Sequence, residues 1–491
     1  MVPPSCVPAT STTPETELRA DPGSFRDPAN RILYADGQVL RGLGPQAAED
    51  WQALIGTEFF PRLIAEGKIC GTEALDPQTV PASQTGQWST VLRHERIPFV
   101  SYPYEWSFAM LRDAALLHLE ILRTAVPAGF TTKDGSAYNL QWRGAEPVFI
   151  DIGSFEPARD GEPWAGYRQF CQTMLYPLLM QAHLGLDFQP WLRSQIDGLE
   201  AGQLRKLFGG TRRFRAGVLK HVHLHDAMQN RYAGSSTGAV REQLRDAGFS
   251  RELVSATLRA IDKLVRRLDW QPPQSHWSGY RETCTYSDAD REQKERFVAT
   301  ALTEAGRPGL VLDLGANDGT YSRLAARHAD YVVAVESDPA VVDQLYRRLS
   351  ADGERRILPL VMDLADPSPG GGWRGVERAS FAARADADGV LALAVVHHLA
   401  IGRNVPLPEI LDWLVGLMPT AGTDGRLVVE FVHPDDPMAV RLLANKPAGL
   451  FPDYHREEFE RLLAQRCTIV RRTELPSGTR TLYVGTPRGR G

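Results

Sequence analysis

Apolar and polar stretches alternate from Gly309 to the end of the chain in a way that predicts strands and helices in turn. Segments with apolar residues at helical spacing separate five short apolar runs, which we interpret as buried strands: 310–314, 331–336, 356–361, 389–396 and 426–432. Two more apolar runs, joined by the turn "PSG", follow near the end. The pattern predicts an α/β domain with a doubly wound, mostly parallel, seven-stranded sheet, in which the final hairpin supplies one antiparallel strand.

The first 270 residues mix the two kinds of pattern. The stretch "RILYADGQVLRGL" predicts a hairpin with Asp36-Gly37 as its turn, and a further strand is predicted over 96–102. The stretch "WSFAMLRDAALLHLEILRTAV" has the spacing of a long, central helix, and helical spacing also dominates from Trp164 to about Arg267. This part of the chain is therefore expected to be an α+β domain.

Two prolines follow a helical pattern in "DWQPPQSHWSGYRE", which favours a domain boundary at that point. The Pro, Ser and Thr content of "MVPPSCVPATSTTPETELRADPGSF" is typical of a disordered tail. We therefore predict three regions: a tail at 1–28, the α+β domain at 29–275 and the α/β domain at 276–491.

Composition and charge narrow the class of protein. Of the 491 residues, 43% are hydrophobic and 23% are charged, as in ordinary folded proteins. A net charge of −5 gives no reason to expect general binding to nucleic acid or to anionic membranes. The five cysteines stand at no metal-ligand spacing, and neither a basic leader nor an apolar run of membrane-spanning length is present. These features predict a cytoplasmic protein with reduced thiols and no structural metal site.

The most informative stretch is "GLVLDLGANDGTYSRLAARHADYVVAVESDP", residues 309–339. Gly315 and Gly319 follow the first strand, where glycine lets the backbone approach a ligand and lets the next helix start tightly against the sheet. Glu336 ends the second strand, and an acid there can accept hydrogen bonds from a ribose diol. The two features together predict a nucleoside-containing ligand at the carboxyl edge of the sheet.

At these residues the chain resembles the class I S-adenosylmethionine-dependent methyltransferases. "VLDLGANDG", "VVAVESDP", "VMDLADP" and "DGVLALAVVHHL" look like four successive motifs of that family. The segments "GGGWRGVERASF", "HHLAIGRNVPL" and "EFVHPDDPM" resemble a bacterial group of nodulation-type or unassigned methyltransferases. The resemblance implies S-adenosyl-L-methionine as cofactor and a Rossmann-like fold. It places the methionine part near the first glycine loop, the ribose on Glu336 and the adenine amino group near Asp363. The cofactor-binding residues implied are Asp313, Gly315, Ala316, Asn317, Gly319, Glu336, Ser337, Asp363 and Leu364.

Candidate groups for the methyl acceptor must follow the fourth and fifth strands, because such sheets bind ligands at the carboxyl ends of their strands. A hydroxyl acceptor benefits from a general base, and histidine has a suitable pKa. The candidates are His397, His398, Glu430 and His433. Each of them has a structural alternative: packing against the cofactor, capping a helix or supporting the strand ends.

The stretch "TTKDGSAYNLQWRGAEPVFIDIGSFE" resembles the catalytic loop and metal-binding acid of protein-kinase-like folds. The resemblance would make Asp134 a base and would give Asn139 and Asp151 to magnesium. The chain departs from that pattern, since it has no glycine-rich phosphate loop, no lysine in a V-A-I-K motif and no histidine before Asp134. The alternative is a helical accessory domain in which these residues only support turns.

We predict a methyltransferase that acts on a small-molecule or glycan-type acceptor, with oxygen as the favoured atom. The α+β domain would shape or present the acceptor. Two alternatives remain open at this point: a bifunctional protein that also transfers phosphate, and a scaffold with a cofactor site that performs no chemistry. Methylation of RNA is disfavoured by the acidic balance of the chain. The sequence leaves the oligomeric state open.

Overall fold

The computed structural model describes residues 19–76, 88–159, 162–227, 250–272, 287–304, 306–419 and 425–488. The chain divides into two compact units, residues 1–96 and 97–491. The predicted boundary at 275/276 lies outside the described residues. Both 97–272, which we call the helical body, and 287–488, which we call the sheet domain, belong to the second unit.

The described residues of the first unit form a five-stranded antiparallel sheet and two helices. Its strand order is β1-β2-β3-β5-β4, and the elements are β1 Arg19–Ala20, β2 Asn30–Ala35, β3 Gln38–Leu43, α1 Pro45–Ile55, α2 Phe59–Ala65, β4 Thr72–Ala74 and β5 Thr90–His94. The predicted hairpin is confirmed, with Asp36 and Gly37 at φ of 48° and 72° in its turn. Leu33, Leu40 and Val91 form the buried core of this sheet. Residues 1–18 of the predicted tail lie outside the described residues.

The helical body is built around one long helix, α3, Phe108–Ala125. The predicted central helix is thus confirmed, and twelve of its eighteen residues are buried. The described part of this body also contains the α-helices α4 Tyr167–Phe170, α5 Tyr176–Leu184, α6 Gln189–Ser194, α7 Ala201–Leu207 and α8 Arg251–Arg267, with π-helical turns at Cys171–Leu175 and Leu219–Leu224. Short antiparallel pairs join β6 Phe130–Thr132 to β9 Phe155–Pro157, and β7 Leu140–Arg143 to β8 Glu146–Phe149.

The strand predicted over 96–102 is wrong, because this segment pairs with no other strand. A side chain takes the place of a strand partner: Gln141 accepts from the backbone N–H of Ser101 and donates to its carbonyl oxygen, both at 2.9 Å. With its backbone groups satisfied in this way, Ser101 is fully buried without a ladder.

The sheet domain contains a seven-stranded sheet of order β12-β11-β10-β13-β14-β16-β15. The first five of these strands are parallel and only β16 runs against them, so the prediction of a mostly parallel sheet is confirmed. The strands are β10 Leu310–Leu314, β11 Tyr331–Glu336, β12 Ile357–Val361, β13 Gly389–Ala392, β14 Arg426–Val432, β15 Cys467–Glu474 and β16 Arg480–Pro487. Buried Val, Leu and Ile fill the central strands, as expected for a sheet covered on both faces.

Seven helices belong to the described part of the sheet domain: α9 Asp288–Thr303, α10 Thr320–His328, α11 Pro339–Ala351, α12 Phe381–Ala385, α13 Leu407–Gly416, α14 Pro437–Leu443 and α15 Arg456–Arg466.

Strand β13 ends four residues earlier than predicted. The backbone leaves the sheet at Leu393, and Ala394 adopts a φ of 54°, which is incompatible with a continuing strand. No helix among the residues described in either unit is both long and apolar enough to cross a lipid bilayer.

The helical body covers the β12 edge of this sheet. The hydroxyl of Tyr331 accepts from the backbone N–H of Gly144, and the backbone N–H of Ala145 donates to the carbonyl of Glu354, both at 2.9 Å. Asp343, in α11, accepts from the Ser107 hydroxyl at 2.9 Å and from the Ala109 N–H at 2.6 Å, which caps α3. Covering an edge strand protects it from pairing with other chains.

Candidate functional site

The loop after β10 carries the glycines expected at a ligand-binding edge. Gly315 and Gly319 have φ of 78° and 81°, which side chains rarely adopt. A Cβ on Gly315 would lie 2.7 Å from Val395, and one on Gly319 would lie 2.5 Å from Leu345. Both glycines are therefore required for the loop to sit against its neighbours, and α10 begins directly after Gly319.

Glu336 ties this loop to the end of β11. Its Oε2 accepts from the backbone N–H of Asn317 at 3.2 Å, across 19 residues of chain. Its Oε1 accepts from the backbone N–H groups of Ser337 at 2.6 Å and Asp338 at 3.1 Å. Asn317 has a φ of 47°, so the loop is held in an unusual backbone conformation with its amide directed at the carboxylate. The structure thus brings together the glycine loop and the acid that the sequence places apart.

Asp313 supports the loop from the buried side, within the protein interior. It is 2% exposed and accepts from the Ser322 hydroxyl at 2.6 Å. Burial raises the pKa of Asp313 from 3.8 to about 6, although the hydrogen bond from Ser322 and the charge of Lys294 oppose the increase. Ala316 is also buried, at 6% exposure. Both residues therefore shape the loop from the protein interior.

Asp363 and Leu364 follow β12 at the same edge, and both are half-buried. The Oδ1 atom of Asp363 accepts from the backbone N–H of Ala365 at 2.9 Å, and its Oδ2 accepts from the guanidinium of Arg403. The carbonyl of Asp363 accepts from the N–H of Asp366 at 3.0 Å. The segment is a tight turn with a carboxylate at its mouth.

His397 and His398 lie side by side after β13, with ring centroids 4.1 Å apart. Burial, followed by the charges of His398, Arg480 and Lys294, holds the pKa of His397 well below its usual range. Burial and Arg480 lower the pKa of His398 to about 4. His397 is 1% exposed, and its Nδ1 has no hydrogen-bond partner within the described ranges. Both imidazoles are neutral at pH 7, and Nδ1 of His397 is enclosed in the protein interior.

Glu430 is engaged in a buried ionic cluster, which we define as Lys294, Glu430, Asp436 and Arg480. Lys294 Nζ lies 2.7 Å from one oxygen of Glu430, and Arg480 lies 3.3 Å from the other. Arg480 also pairs with Asp436 at 2.7 Å. All four side chains are at most 3% exposed. A carboxylate held between two cations is a poor proton acceptor, so the geometry favours a supporting role for Glu430.

His433 lies at the end of β14. Its Nε2 is 2.9 Å from the Thr481 hydroxyl, and its backbone N–H donates to the Thr479 carbonyl at 2.9 Å. Desolvation lowers the pKa of this half-buried imidazole. The hydrogen bond to β16 fixes the ring against the antiparallel strand.

Sequence reasoning missed Lys294 and Arg480. A signal for the first was present: Lys294 stands on the stripe of α9 that also carries Phe297, Val298 and Ala301, all of them buried. A lysine in an apolar stripe indicates a buried partner. Arg480 gave no such signal, because its partners are 44 and 50 residues away in the chain.

The kinase-like residues of the helical body lie around the β7–β8 hairpin. Asp134 is exposed, whereas Asn139 and Asp151 are half-buried on either side of the hairpin. No group of three or more His, Cys, Asp or Glu side chains among the residues with described coordinates is arranged to hold a metal ion. The kinase-like resemblance stays a prediction.

Three comparisons place the chain among known proteins. No protein-family model matches it. Two solved structures of the N-methyltransferase NodS from Bradyrhizobium japonicum, the second with S-adenosyl-L-homocysteine, align with 41% and 43% of this chain and 98% and 99% of theirs. Their sequence identities are 13% and 12%, and both TM-scores are 0.31.

A curated relative covers nearly the whole molecule. The nodulation protein NoeA of Rhizobium meliloti (strain 1021) is 33% identical to this chain over 469 residues, which is 94% of each protein. A match of this length includes residues of the first unit and, within the second unit, residues of both the helical body and the sheet domain. The chain therefore belongs to the NoeA family of nodulation proteins.

Proposed function

We propose that the protein is an S-adenosyl-L-methionine-dependent methyltransferase. The observation that carries this proposal is the joint between the Gly315–Gly319 loop and Glu336 at the carboxyl edge of a mostly parallel sheet. Open α/β sheets bind ligands outside the carboxyl ends of their strands. A glycine turn and a strand-end acid in contact across that edge suit the methionine and ribose parts of the cofactor.

The residues present fit this cofactor. The positive φ values of Gly315 and Gly319, and the side chains that a Cβ atom would meet there, leave room for glycine alone, so that bare backbone lines this side of the proposed site. Glu336 and Ser337 would hold the ribose, and Asp363 and Leu364 would hold the adenine. When bound, S-adenosyl-L-methionine supplies an activated methyl group, so that the protein's own contribution is alignment and exclusion of water.

We propose an acceptor that is a small molecule or a glycan and that is methylated on oxygen. Of the two neutral imidazoles, His397 is 1% exposed and would support the site from the interior, whereas the half-buried His398 would accept a hydrogen bond from the acceptor hydroxyl and orient it. Strong proton abstraction is not expected from either histidine, because imidazoles with such low pKa values are weak bases. The buried ionic cluster keeps β14 and α9 fixed beneath the histidines.

A transfer assay tests the activity directly. The purified full chain is incubated with cofactor carrying a labelled methyl group and with fractions of a cell extract from its host. We expect label in a low-molecular-weight or glycan fraction, and we expect Glu336→Ala to abolish it. The control is Glu354→Ala, which changes an acid at the opposite edge of the sheet. Incorporation only into RNA, or none in any fraction, would refute the proposed acceptor class.

A second activity, phosphate transfer by the helical body, is favoured by one observation. The order of long helix α3, strand β6, the loop of Asp134, the β7–β8 hairpin and Asp151 is the order expected of a kinase-like catalytic region. Binding of magnesium-ATP that is lost in Asp151→Ala would support a bifunctional protein. If the protein does not bind magnesium-ATP, the helical body is an accessory part. If it also does not bind S-adenosyl-L-methionine, the protein is a scaffold that performs no chemistry.

We also propose a biological process and a cellular location for this activity. The relative's name assigns NoeA to nodulation, and we extend that process to this chain. A cytoplasmic location agrees with the buried free thiols of Cys70, Cys171 and Cys467.

A further inference from the structure

Arg193 links the helical body to the proposed adenine end of the cofactor site. This residue lies in α6 and is 30% exposed. Its guanidinium donates to both carboxylate oxygens of Asp366 at 2.9 Å. It also donates to the backbone carbonyls of Asp366 at 3.0 Å and Pro367 at 3.2 Å. Four hydrogen bonds thus join Arg193 to a single turn that lies more than 170 residues further along the chain.

That turn is the one that carries Asp363. The N–H of Asp366 donates to the Asp363 carbonyl at 3.0 Å, and the N–H of Ala365 donates to the Asp363 side chain at 2.9 Å. Asp366 itself is 73% exposed, so little else in its surroundings restrains its side chain. A bidentate guanidinium–carboxylate pair fixes direction as well as distance. Asp363 is thus held directly by Arg403 of the sheet domain and, through the turn that Asp366 closes, by a residue outside that domain.

Further contacts hold the helical body in place at the same edge. The Tyr102 hydroxyl accepts from the N–H of Ala379 at 2.9 Å, and Glu105 forms an ion pair with Arg384 in which both side chains are at most 6% exposed. These bonds anchor the chain after the Asp363 turn, whereas Arg193 holds the turn itself. Gln189, in the same helix as Arg193, donates to the Trp106 carbonyl at 2.9 Å and so ties α6 to this anchored region.

We propose that Arg193 is a positioning residue for adenine recognition, so that the cofactor site is completed by the helical body. This inference rests on the proposed function. Arg193 holds the 363–367 turn so that Asp363 presents its carboxylate to an exocyclic amino group. Without Arg193 the turn gains freedom, and the selectivity for an amino-bearing purine declines.

Calorimetry with two ligands tests the inference. S-adenosylhomocysteine carries the amino group, and S-inosylhomocysteine carries an oxygen in its place. We expect the full chain to prefer the first, and we expect Arg193→Gln to weaken S-adenosylhomocysteine binding about tenfold while it changes S-inosylhomocysteine binding much less. Arg193→Lys should be intermediate, because lysine keeps the charge but lacks the planar fork.

The matched control is Arg355→Gln. Arg355 pairs with Glu146 of the helical body at 2.8 Å, but it lies at the amino end of β12, away from the proposed site. It should leave both affinities unchanged, and circular dichroism should show the same fold for all variants. If the full chain binds neither ligand, the proposed function fails. If it prefers S-adenosylhomocysteine and Arg193→Gln keeps that preference, or loses both affinities equally, only the role of Arg193 is overturned.

Discussion

At the scale of single residues, the candidate site is organised by acids whose surroundings give them different tasks. Asp313 is buried beneath the loop and bonds to Ser322, whereas Glu336 stands at the strand end and collects backbone amides. Desolvation raises the pKa of the first to about 6. Asp313 therefore supports the loop from the interior, and Glu336, which joins the loop to the strand end, is the acid that we propose contacts the ligand.

The raised pKa of Asp313 predicts a pH-dependent stability. Between about pH 4 and pH 6 the unfolded chain loses this proton while the folded protein keeps it, so the free energy of unfolding falls as pH rises and levels off above about pH 6. Asp313→Asn keeps a polar partner for Ser322 but cannot ionise. Relative to this variant, the natural protein should lose about 3 kcal/mol across that interval. Urea unfolding at several pH values measures it, and a constant difference between the two proteins would contradict the assignment.

At the scale of elements, α9 and β14 are joined by the buried ionic cluster. Lys294→Met is expected to lower the free energy of unfolding by about 3 kcal/mol, because it removes one of the two cations that pair with Glu430 in a fully buried position. The control is Lys68→Met, which removes a partly exposed partner of Glu66 and should cost less than about 1 kcal/mol. Equal effects of the two substitutions in chemical unfolding would show that the buried cluster contributes nothing special.

The elements also show how far sequence patterns reach. Strands β10, β11 and β14 were predicted to the residue, because buried parallel strands are continuous apolar runs bounded by turns. The end of β13 could not be predicted in this way, because the apolar run continues through Leu393, Val395 and Val396 after the backbone has left the sheet. Residues 96–102 mimic a strand, but the backbone of Ser101 is satisfied by the Gln141 side chain.

In the candidate site, contacts between residues close in the chain could be predicted from the sequence, and contacts between distant residues could not. Gly315, Gly319 and Glu336 fall within one strand–helix–strand unit, so their meeting could be predicted from spacing alone. Arg193 and Asp366, or Glu430 and Arg480, are brought together only by tertiary packing, and no local pattern records which distant partner a charged residue meets.

At the scale of the whole molecule, the second unit combines the helical body and the sheet domain through polar contacts that are buried. Asp343 is central to them, because it is 2% exposed and caps α3 from α11. The two parts should consequently unfold together, in one transition. This coupling is what allows a residue of the helical body to influence the carboxyl edge of the sheet.

Asp343→Ala is expected to destabilise this unit by about 3 kcal/mol, because it leaves the Ala109 N–H and the Ser107 hydroxyl buried without their partner. Tryptophan fluorescence in urea should report one shifted transition. Glu146→Ala, which removes an exposed pair with Arg355, should change stability by less than about 1 kcal/mol. Two separate transitions in the Asp343 variant, with the sheet domain unaffected, would show that the parts fold independently.

The proposed cofactor site is formed by the Gly315–Gly319 loop and Glu336. Isothermal titration calorimetry of the purified full chain with S-adenosylhomocysteine tests it most directly. We expect saturable binding in the micromolar range or tighter, and an affinity at least about tenfold lower in Glu336→Ala, which removes the proposed acceptor for the ribose diol. Absence of binding by the folded natural chain, or equal binding by the variant, would contradict the central claim.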